Sequence, residues 1–266
     1  ITEGNHMFRR LFNDIKKYFH YSVVSAKSQL KAEVANSYLN WIWWVLDPLC
    51  FMLIYTFIFG YVFNSSEKYF PVFIFIGLSM WDFFNRTITN SVKIVKNNKA
   101  IVSKVYLPKY ILILIKLWVN AFKMMISFGI VGIMMFFYHV PASCNIIFFV
   151  PILLVLGLFT FGCGTFLLHY GVYVEDLANV VSIVLRFVFY LTGIFYSVEK
   201  RIPGWGGVLN RYNPLAYLIT SMREALIYAQ TPDLVLLAGW MFVGIILSLA
   251  GIRLIYREEN SYVKVI

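Results

Sequence analysis

Long apolar runs separated by short polar connections make up most of the chain. The runs are longer than the alternating segments of about ten residues that build a transmembrane β-barrel. About 20 apolar residues suffice for an α-helix to cross a bilayer, so the pattern predicts an all-α, polytopic membrane protein. The six predicted spans are residues 44–63, 70–91, 111–138, 146–171, 177–197 and 234–256.

The N-terminal region has a helical pattern that is too charged to span a membrane. Apolar residues recur at helical spacing, and Arg and Lys residues lie on the opposite side. We therefore expect an amphipathic interface helix at 8–31, which either only anchors the chain to lipid or also packs beside a partner. The apolar positions are Phe8, Leu11, Phe12, Ile15 and Phe19.

The external connection before the last span, residues 198–233, is too polar to cross a membrane. A helix is predicted to start near Pro214, since proline is favoured in a first helical turn. One side of this helix is apolar and is expected to dip into the outer interface. That side consists of Leu215, Leu218, Ile219, Met222 and Leu226.

The connection between the second and third spans, NNKAIVSKVYLPKY at 97–110, combines lysines with an apolar side. We expect a short helix that ends at Pro108, because proline cannot continue a helix. It either rests on anionic lipid or inserts its apolar side into a groove of another subunit. Its apolar residues are Ile101, Val102, Val105, Tyr106 and Leu107.

Composition agrees with the span pattern and orients it. The 266 residues are 60% hydrophobic and 14% charged, with a net charge of +10. If the N-terminus is cytoplasmic, fourteen Lys and Arg residues lie on the cytoplasmic side and five on the other. This asymmetry predicts that both termini are cytoplasmic. Attraction to an anionic inner leaflet accounts for the positive charge without nucleic acid as a partner.

Charged residues inside the predicted spans are candidate functional groups, because each is costly unless it is paired or faces water. Asp82 and Arg86 stand four residues apart and are expected to pair. Arg186 follows Asp176 by about 15 Å of helix. It is hypothesised to face a translocation path and bind phosphate, with an ion pair to Asp47 or Asp82 as the alternative.

Aromatic residues form 19% of the chain and allow two interpretations. Trp41 and Trp44 precede or begin the first span on the cytoplasmic side, and Tyr190 and Tyr196 lie toward the outer half of the fifth. They either anchor the protein at the membrane interfaces or line a path for sugars, whose C–H faces stack on aromatic rings.

Catalytic and metal-binding patterns are weak. His139 and His169 have no ligand spacing with acids, and the three cysteines form no C-x-x-C pair. We expect no resident cofactor. The chain also has no G-x-x-x-x-G-K-[ST] loop, so transport would need an ion gradient or a separate ATP-binding subunit.

Four strings resemble, in order, the permease subunit of ABC transporters that export polysaccharides such as O-antigen and teichoic acid. YLNWIWWVLDPLCFMLIYTFIFGYVF at 38–63 is similar to the first span of that family, with Asn40 where glycine is usual. IVSKVYLPKYIL at 101–112 is similar to its coupling helix. Residues 172–197 and 202–228 resemble its fifth span and external gate helices, with Glu175 where arginine is common.

The resemblance implies a function and a set of partners. It implies a homodimer in the bacterial cytoplasmic membrane, docked on two copies of an ATP-binding subunit that hold ATP and Mg. The complex would export an undecaprenyl-pyrophosphate-linked polymer. Residues 1–6 before Met7 are interpreted as an expression remnant, and 7–266 as one permease domain.

The site residues are implied in three groups. Those that bind the ATP-binding subunit would be Ile101, Val102, Lys104, Val105, Tyr106, Leu107 and Pro108. The candidates for the substrate path are Arg186, Trp41, Trp44, Tyr190 and Tyr196. The candidates for the external gate are Pro203, Trp205, Asn213, Pro214 and Arg223.

Two other functions remain open at this point. A drug or peptide exporter could use the same permease fold. A membrane enzyme acting on polyprenyl-linked sugars would need several acids or histidines at one membrane face, and only Glu175 and Asp176 come close.

Overall fold

The computed structural model describes residues 2–35, 40–63, 67–141, 143–201 and 204–265. Every regular element in these ranges is helical, as the apolar pattern predicts. The α-helices are α1 (Thr2–Val34), α2 (Trp43–Tyr55), α3 (Phe70–Asn97), α4 (Lys99–Val102), α5 (Tyr110–Phe137), α6 (Phe149–Tyr173), α7 (Leu177–Leu191), α8 (Val198–Arg201), α9 (Gly206–Tyr212), α10 (Pro214–Leu226) and α11 (Leu234–Val265). A π-helical segment, Thr56–Val62, continues α2, and 3₁₀ turns at Asn40–Ile42 and Cys144–Phe148 precede α2 and α6.

Helix α3 forms the centre of the bundle. Its side chains from Val72 to Ile76 are almost fully buried, and it packs against α2, α5, α6, α7 and α10. A Cβ added to Gly171 of α6 would lie 2.0 Å from the carbonyl oxygen of Val92, so only glycine allows the two backbones to approach this closely. Small residues serve the same purpose wherever membrane helices pack without a hydrophobic driving force.

Among the described residues, four helical segments are long and apolar enough to cross a membrane: Trp43–Val62, Tyr110–Phe137, Cys144–Tyr173 and Leu234–Glu259. They coincide with the first, third, fourth and sixth predicted spans. Helix α3 matches the second predicted span but is more polar and continues to Asn97.

The fifth predicted span, 177–197, is too long. Helix α7 has 15 residues and ends at Leu191, which corresponds to about 23 Å of helix. The chain turns at Gly193, whose φ of 69° is a left-handed conformation that glycine adopts without strain. A turn at this point prevents the helix from continuing to 197.

The connection between α7 and α11 contains a helix that starts at Pro214, as predicted. Its apolar side is covered by protein, because Leu218 and Met222 are completely buried. Helix α10 packs against α3 and α6, so the segment between α7 and α11 folds back onto the bundle.

Both terminal helices are longer than the pattern predicts. Helix α1 includes the predicted interface helix 8–31 and residues 2–6, and it runs along α5. The ε-amino group of Lys116 donates to the side-chain oxygen of Gln29 at 2.8 Å and thereby joins α5 to α1. Helix α11 continues nine residues beyond the predicted end of the last span, from residue 256 to Val265.

Candidate functional site

Residues 97–110, called the coupling segment below, contain only one turn of helix, Lys99–Val102. The prediction of a helix that ends at Pro108 is therefore wrong. Residues 103–105 form a turn, and 106–108 have no regular structure. A proline disfavours helical geometry in the preceding residue, here Leu107, so a helix could not have included Leu107.

The apolar residues of the coupling segment divide between two faces. Val102 and Leu107 are buried against the rest of the chain, with 7% and 3% of their surface exposed. Val105 and Tyr106 are 60% and 53% exposed. Ile101 and Lys104 are exposed as well, whereas Pro108 is buried. The surface that a partner could contact is therefore formed by Ile101, Lys104, Val105 and Tyr106.

Tyr106 also joins the coupling segment to both ends of the chain. Its hydroxyl accepts a hydrogen bond from the guanidinium of Arg10 in α1 and donates to the carboxylate of Glu259 in α11 at 3.2 Å. Arg10 and Glu259 form an ion pair at 2.5 Å. We call Arg10, Tyr106 and Glu259 the tether.

The charges of the tether stabilise one another. Burial acts to lower the pKa of Arg10, but hydrogen bonds to Glu259 and Tyr106 outweigh it and raise this pKa above its ordinary value. Glu259 is 8% exposed, so without Arg10 its carboxylate would be a nearly buried, unpaired charge. The tether therefore holds α1, α11 and the coupling segment together at one end of the molecule.

A polar cavity of about 270 Å³ lies between α1, α2, α3 and α5. The predicted pair of Asp82 and Arg86 is present at 3.3 Å, and the same guanidinium nitrogen lies 3.0 Å from Asp47. Lys123 pairs with Glu33 at 2.6 Å. The cavity thus gathers three acids and two bases in an apolar bundle, which suits a water-filled recess rather than lipid contact.

Arg186 is exposed on α7. Asp47 and Asp82, the acids considered as its partners, bind Arg86 instead. No ion pair with Arg186 is formed among the described residues. Its side chain is thus available to an external anion.

The aromatic candidates for the path form two separate groups. Tyr190 is one helical turn beyond Arg186 and is 63% exposed. Its carbonyl oxygen accepts a hydrogen bond from the hydroxyl of Tyr196 at 2.7 Å. Trp41 is 58% exposed, and Trp44 packs edge-on against Phe122, with ring centroids 5.8 Å apart, where it also lines the polar cavity.

Most of the gate candidates hold the connection between α7 and α11 in place. Arg223 is 3% exposed and donates to the carbonyl oxygens of Phe73, Gly193 and Ile194 at 3.1, 2.9 and 2.8 Å. It therefore fastens α10 to α3 and to the turn after α7, and it does not face solvent.

The other gate candidates have different environments. The Asn213 side chain accepts from the backbone N–H groups of Leu215 and Ala216, and so caps α10, whose first residue is Pro214. Trp205 is 74% exposed. Pro203 lies outside the described residues.

The sequence comparisons assign a family to this arrangement. The family model described as ABC-2 type transporter matches residues 23–227. This chain belongs to the ABC-2 type transporter family. The match includes the coupling segment, the polar cavity and α10.

Curated relatives of this ABC-2 family member are similar over almost its whole length. It is 28% identical over 250 residues to an O-antigen export system permease protein RfbA of Klebsiella pneumoniae, covering 93% of this chain and 95% of that protein. It is 22% identical over 254 residues to the protein of the same description from Myxococcus xanthus, covering 95% and 98%.

Two features of this ABC-2 family member were missed by sequence reasoning. The tether joins residues 10, 106 and 259, and the pair of Asp47 with Arg86 joins residues 39 apart. The only sequence signal is that charges in apolar surroundings need partners. That signal does not say which partner is chosen.

Proposed function

We propose that this chain is the permease subunit of an ABC transporter that exports a polysaccharide linked to undecaprenyl pyrophosphate across the bacterial cytoplasmic membrane. The observation that carries the proposal is the similarity, over 93% of the chain, to an O-antigen export system permease protein. The exposed surface of the coupling segment adds a place where a separate motor subunit could bind.

The proposed assembly is a homodimer of six-span subunits with two ATP-binding subunits, which would hold ATP and Mg. Both termini and the coupling segment would face the cytoplasm. The tether supports a common side for these three parts, because one tyrosine contacts residues from both terminal helices. The count of Lys and Arg residues supports the cytoplasm as that side.

The coupling segment would transmit closure of the ATP-binding subunits to the membrane helices. It leads directly into α3 and α5, whose ends it connects. Val102 and Leu107 pack into the bundle and would pass a displacement on, while the exposed Ile101, Val105 and Tyr106 would contact the partner. Apolar side chains on a short exposed segment fit a groove in such a partner.

The lipid-linked pyrophosphate would meet Arg186 in the path between two subunits. An exposed, unpaired arginine on a largely apolar helix can bind phosphate oxygens with its planar fork of donors. Tyr190 and Tyr196 could offer stacking surfaces to sugars nearby.

The test is a reconstituted complex of this chain with an ATP-binding subunit in proteoliposomes. We expect undecaprenyl-pyrophosphate-linked oligosaccharide to raise ATP hydrolysis, and the same oligosaccharide without its lipid not to do so. Stimulation by hydrophobic drugs alone would indicate a drug exporter. Chemical conversion of the lipid-linked sugar by this chain without the ATP-binding subunit would indicate an enzyme.

A further inference from the structure

A groove of about 680 Å³ runs between α1 and α5, on the outside of the helix bundle. It is separate from the polar cavity in all but two of its lining residues, Val34 and Trp44. Its floor is apolar along its length. The side chains that form this floor and its walls include Val23, Leu30, Trp41, Trp118, Phe122 and Met125.

These apolar side chains are exposed, as are many apolar side chains on the outer surface of this helix bundle. Trp41 is 58% exposed, Phe122 47% and Met125 43%. Helix α1 contacts α5 on one side of the groove through Phe19, whose ring meets that of Trp118 edge-on at 5.9 Å. The groove is therefore an open slot between two helices that are already joined.

Two lysines of α1 border this slot. Lys27 and Lys31 are four residues apart and so lie on the same side of the helix, and both line the groove and are exposed. Neither forms an ion pair within the described ranges. Two other lysines nearby, Lys116 and Lys123 of α5, are bound by Gln29 and Glu33 of α1.

The apolar lining and the two lysines without ion pairs fit a ligand that is apolar at one end and anionic at the other. We propose that the groove binds an anionic phospholipid of the cytoplasmic leaflet, with an acyl chain against Trp118 and Phe122 and the phosphate between Lys27 and Lys31. Trp41 and Trp44 also line the groove, and tryptophan is the residue type that membrane proteins place where lipid headgroups meet the hydrocarbon.

A resident phospholipid fits the position of the groove better than the exported polymer does. The groove opens to the outside of the bundle, and its polar rim consists of only two lysine side chains, which suits a small headgroup. This site concerns the lipid around the protein, and it does not depend on which substrate is proposed above. Bound lipid would stabilise the contact of α1 with α5, because it fills the space that the two helices leave between them.

The experiment measures retention of lipid by the purified chain. Protein in neutral detergent is mixed with equal amounts of phosphatidylglycerol and phosphatidylcholine of the same acyl chains, and bound lipid is counted by native mass spectrometry. We expect preferential retention of phosphatidylglycerol by about tenfold or more, since each basic residue near an anionic headgroup contributes about a fivefold gain in affinity.

The double variant Lys27→Gln, Lys31→Gln should lose this preference, and its helical content by circular dichroism should be unchanged. The matched control is Lys16→Gln, Lys17→Gln, which removes the same charge from exposed positions of the same helix away from the groove. A third variant, Ala121→Phe, fills the groove and should reduce retention of both lipids.

Three results would overturn the proposal. The first is equal retention of the two lipids by the unaltered protein, a measurement that requires no variant to fold. The second is an equal loss in the control and the double variant. The third is retention of undecaprenyl phosphate in preference to phosphatidylglycerol, which would make the groove a site for the carrier lipid.

Discussion

Glu259 illustrates how one side chain connects distant parts of this permease. The residue is 8% exposed, and its carboxylate binds both Arg10 and Tyr106. The neighbouring Glu258 contacts Arg257, whose side chain is 82% exposed. Two adjacent acids of one helix therefore differ in what their removal should cost.

Glu259→Gln should destabilise the protein by about 1–2 kcal/mol, because a nearly buried hydrogen-bonded ion pair is lost while Arg10 remains partly exposed to water. Thermal unfolding in detergent measures the change. Glu258→Gln is the control and should alter stability by less than about 0.5 kcal/mol. Equal effects of the two substitutions would show that the tether contributes nothing specific.

For Arg186 we expect a loss of function without a loss of stability, because no described residue pairs with its charge. Arg186→Gln should leave the melting temperature unchanged and abolish polymer export and substrate-stimulated ATP hydrolysis. Arg186→Lys should retain part of both, since a point charge replaces some of the guanidinium contacts. Normal export by a stable Arg186→Gln protein would remove this residue from the proposed path.

At the scale of elements, the coupling segment contains some residues available to a partner and others that stabilise the permease itself. Val105 is 60% exposed and Leu107 is 3% exposed, although both are apolar and only two residues apart. Sequence reasoning assigned both to the partner surface. The structure gives Leu107 to the core of the chain.

Val105→Asp should weaken co-purification with the ATP-binding subunit and leave the melting temperature of the isolated permease unchanged. Leu107→Asp should destabilise the permease itself by several kcal/mol, because it buries a charge without a partner. Both properties can be measured on the same preparations. A full complement of ATP-binding subunit on the Val105→Asp protein would contradict the proposed docking surface.

The contact of α6 with α3 depends on a single missing side chain. Gly171→Ala places a methyl carbon only 2.0 Å from the carbonyl oxygen of Val92, so the two helices must separate. We expect a loss of about 1–3 kcal/mol, the usual cost of overpacking. Gly157→Ala of the same helix meets nothing within 4 Å and should be neutral or slightly stabilising. Thermal unfolding of the two variants compares them, and an equal or smaller loss for Gly171→Ala would refute the packing argument.

At the scale of the whole molecule, the orientation of the helices is the property that most needs a direct test. The tether places both terminal helices and the coupling segment at one end. Helix α9, in the connection predicted to be external, provides Gly207, which is exposed and has open space around its Cα. Lys104 of the coupling segment is exposed as well.

In a variant without Cys50, Cys144 and Cys163, we expect Gly207→Cys in intact cells to react with a membrane-impermeant maleimide. Lys104→Cys should react only after the membrane is permeabilised. The opposite labelling pattern would reverse the orientation inferred from the Lys and Arg residues and would place the coupling segment outside the cell.

Much of the fold could be predicted from the sequence, because the bilayer constrains each spanning segment independently of the rest of the chain. A backbone in lipid must satisfy its own hydrogen bonds, so an apolar run of sufficient length predicts a helix whatever its neighbours are. The first, third, fourth and sixth spans, the start of α10 and the pairing of Asp82 with Arg86 all follow from residues close together in the chain. The order of four short strings was enough to indicate the family.

The remaining features were decided only by tertiary structure. The end of α7 at Leu191, the burial of Leu107 and the interior position of Arg223 depend on how the connections pack onto the helix bundle. The tether and the groove beside α1 bring together residues far apart in sequence. No local pattern encodes such contacts. The sequence shows that a charged or apolar side chain needs a partner, but the packing of the helices determines which partner comes within reach.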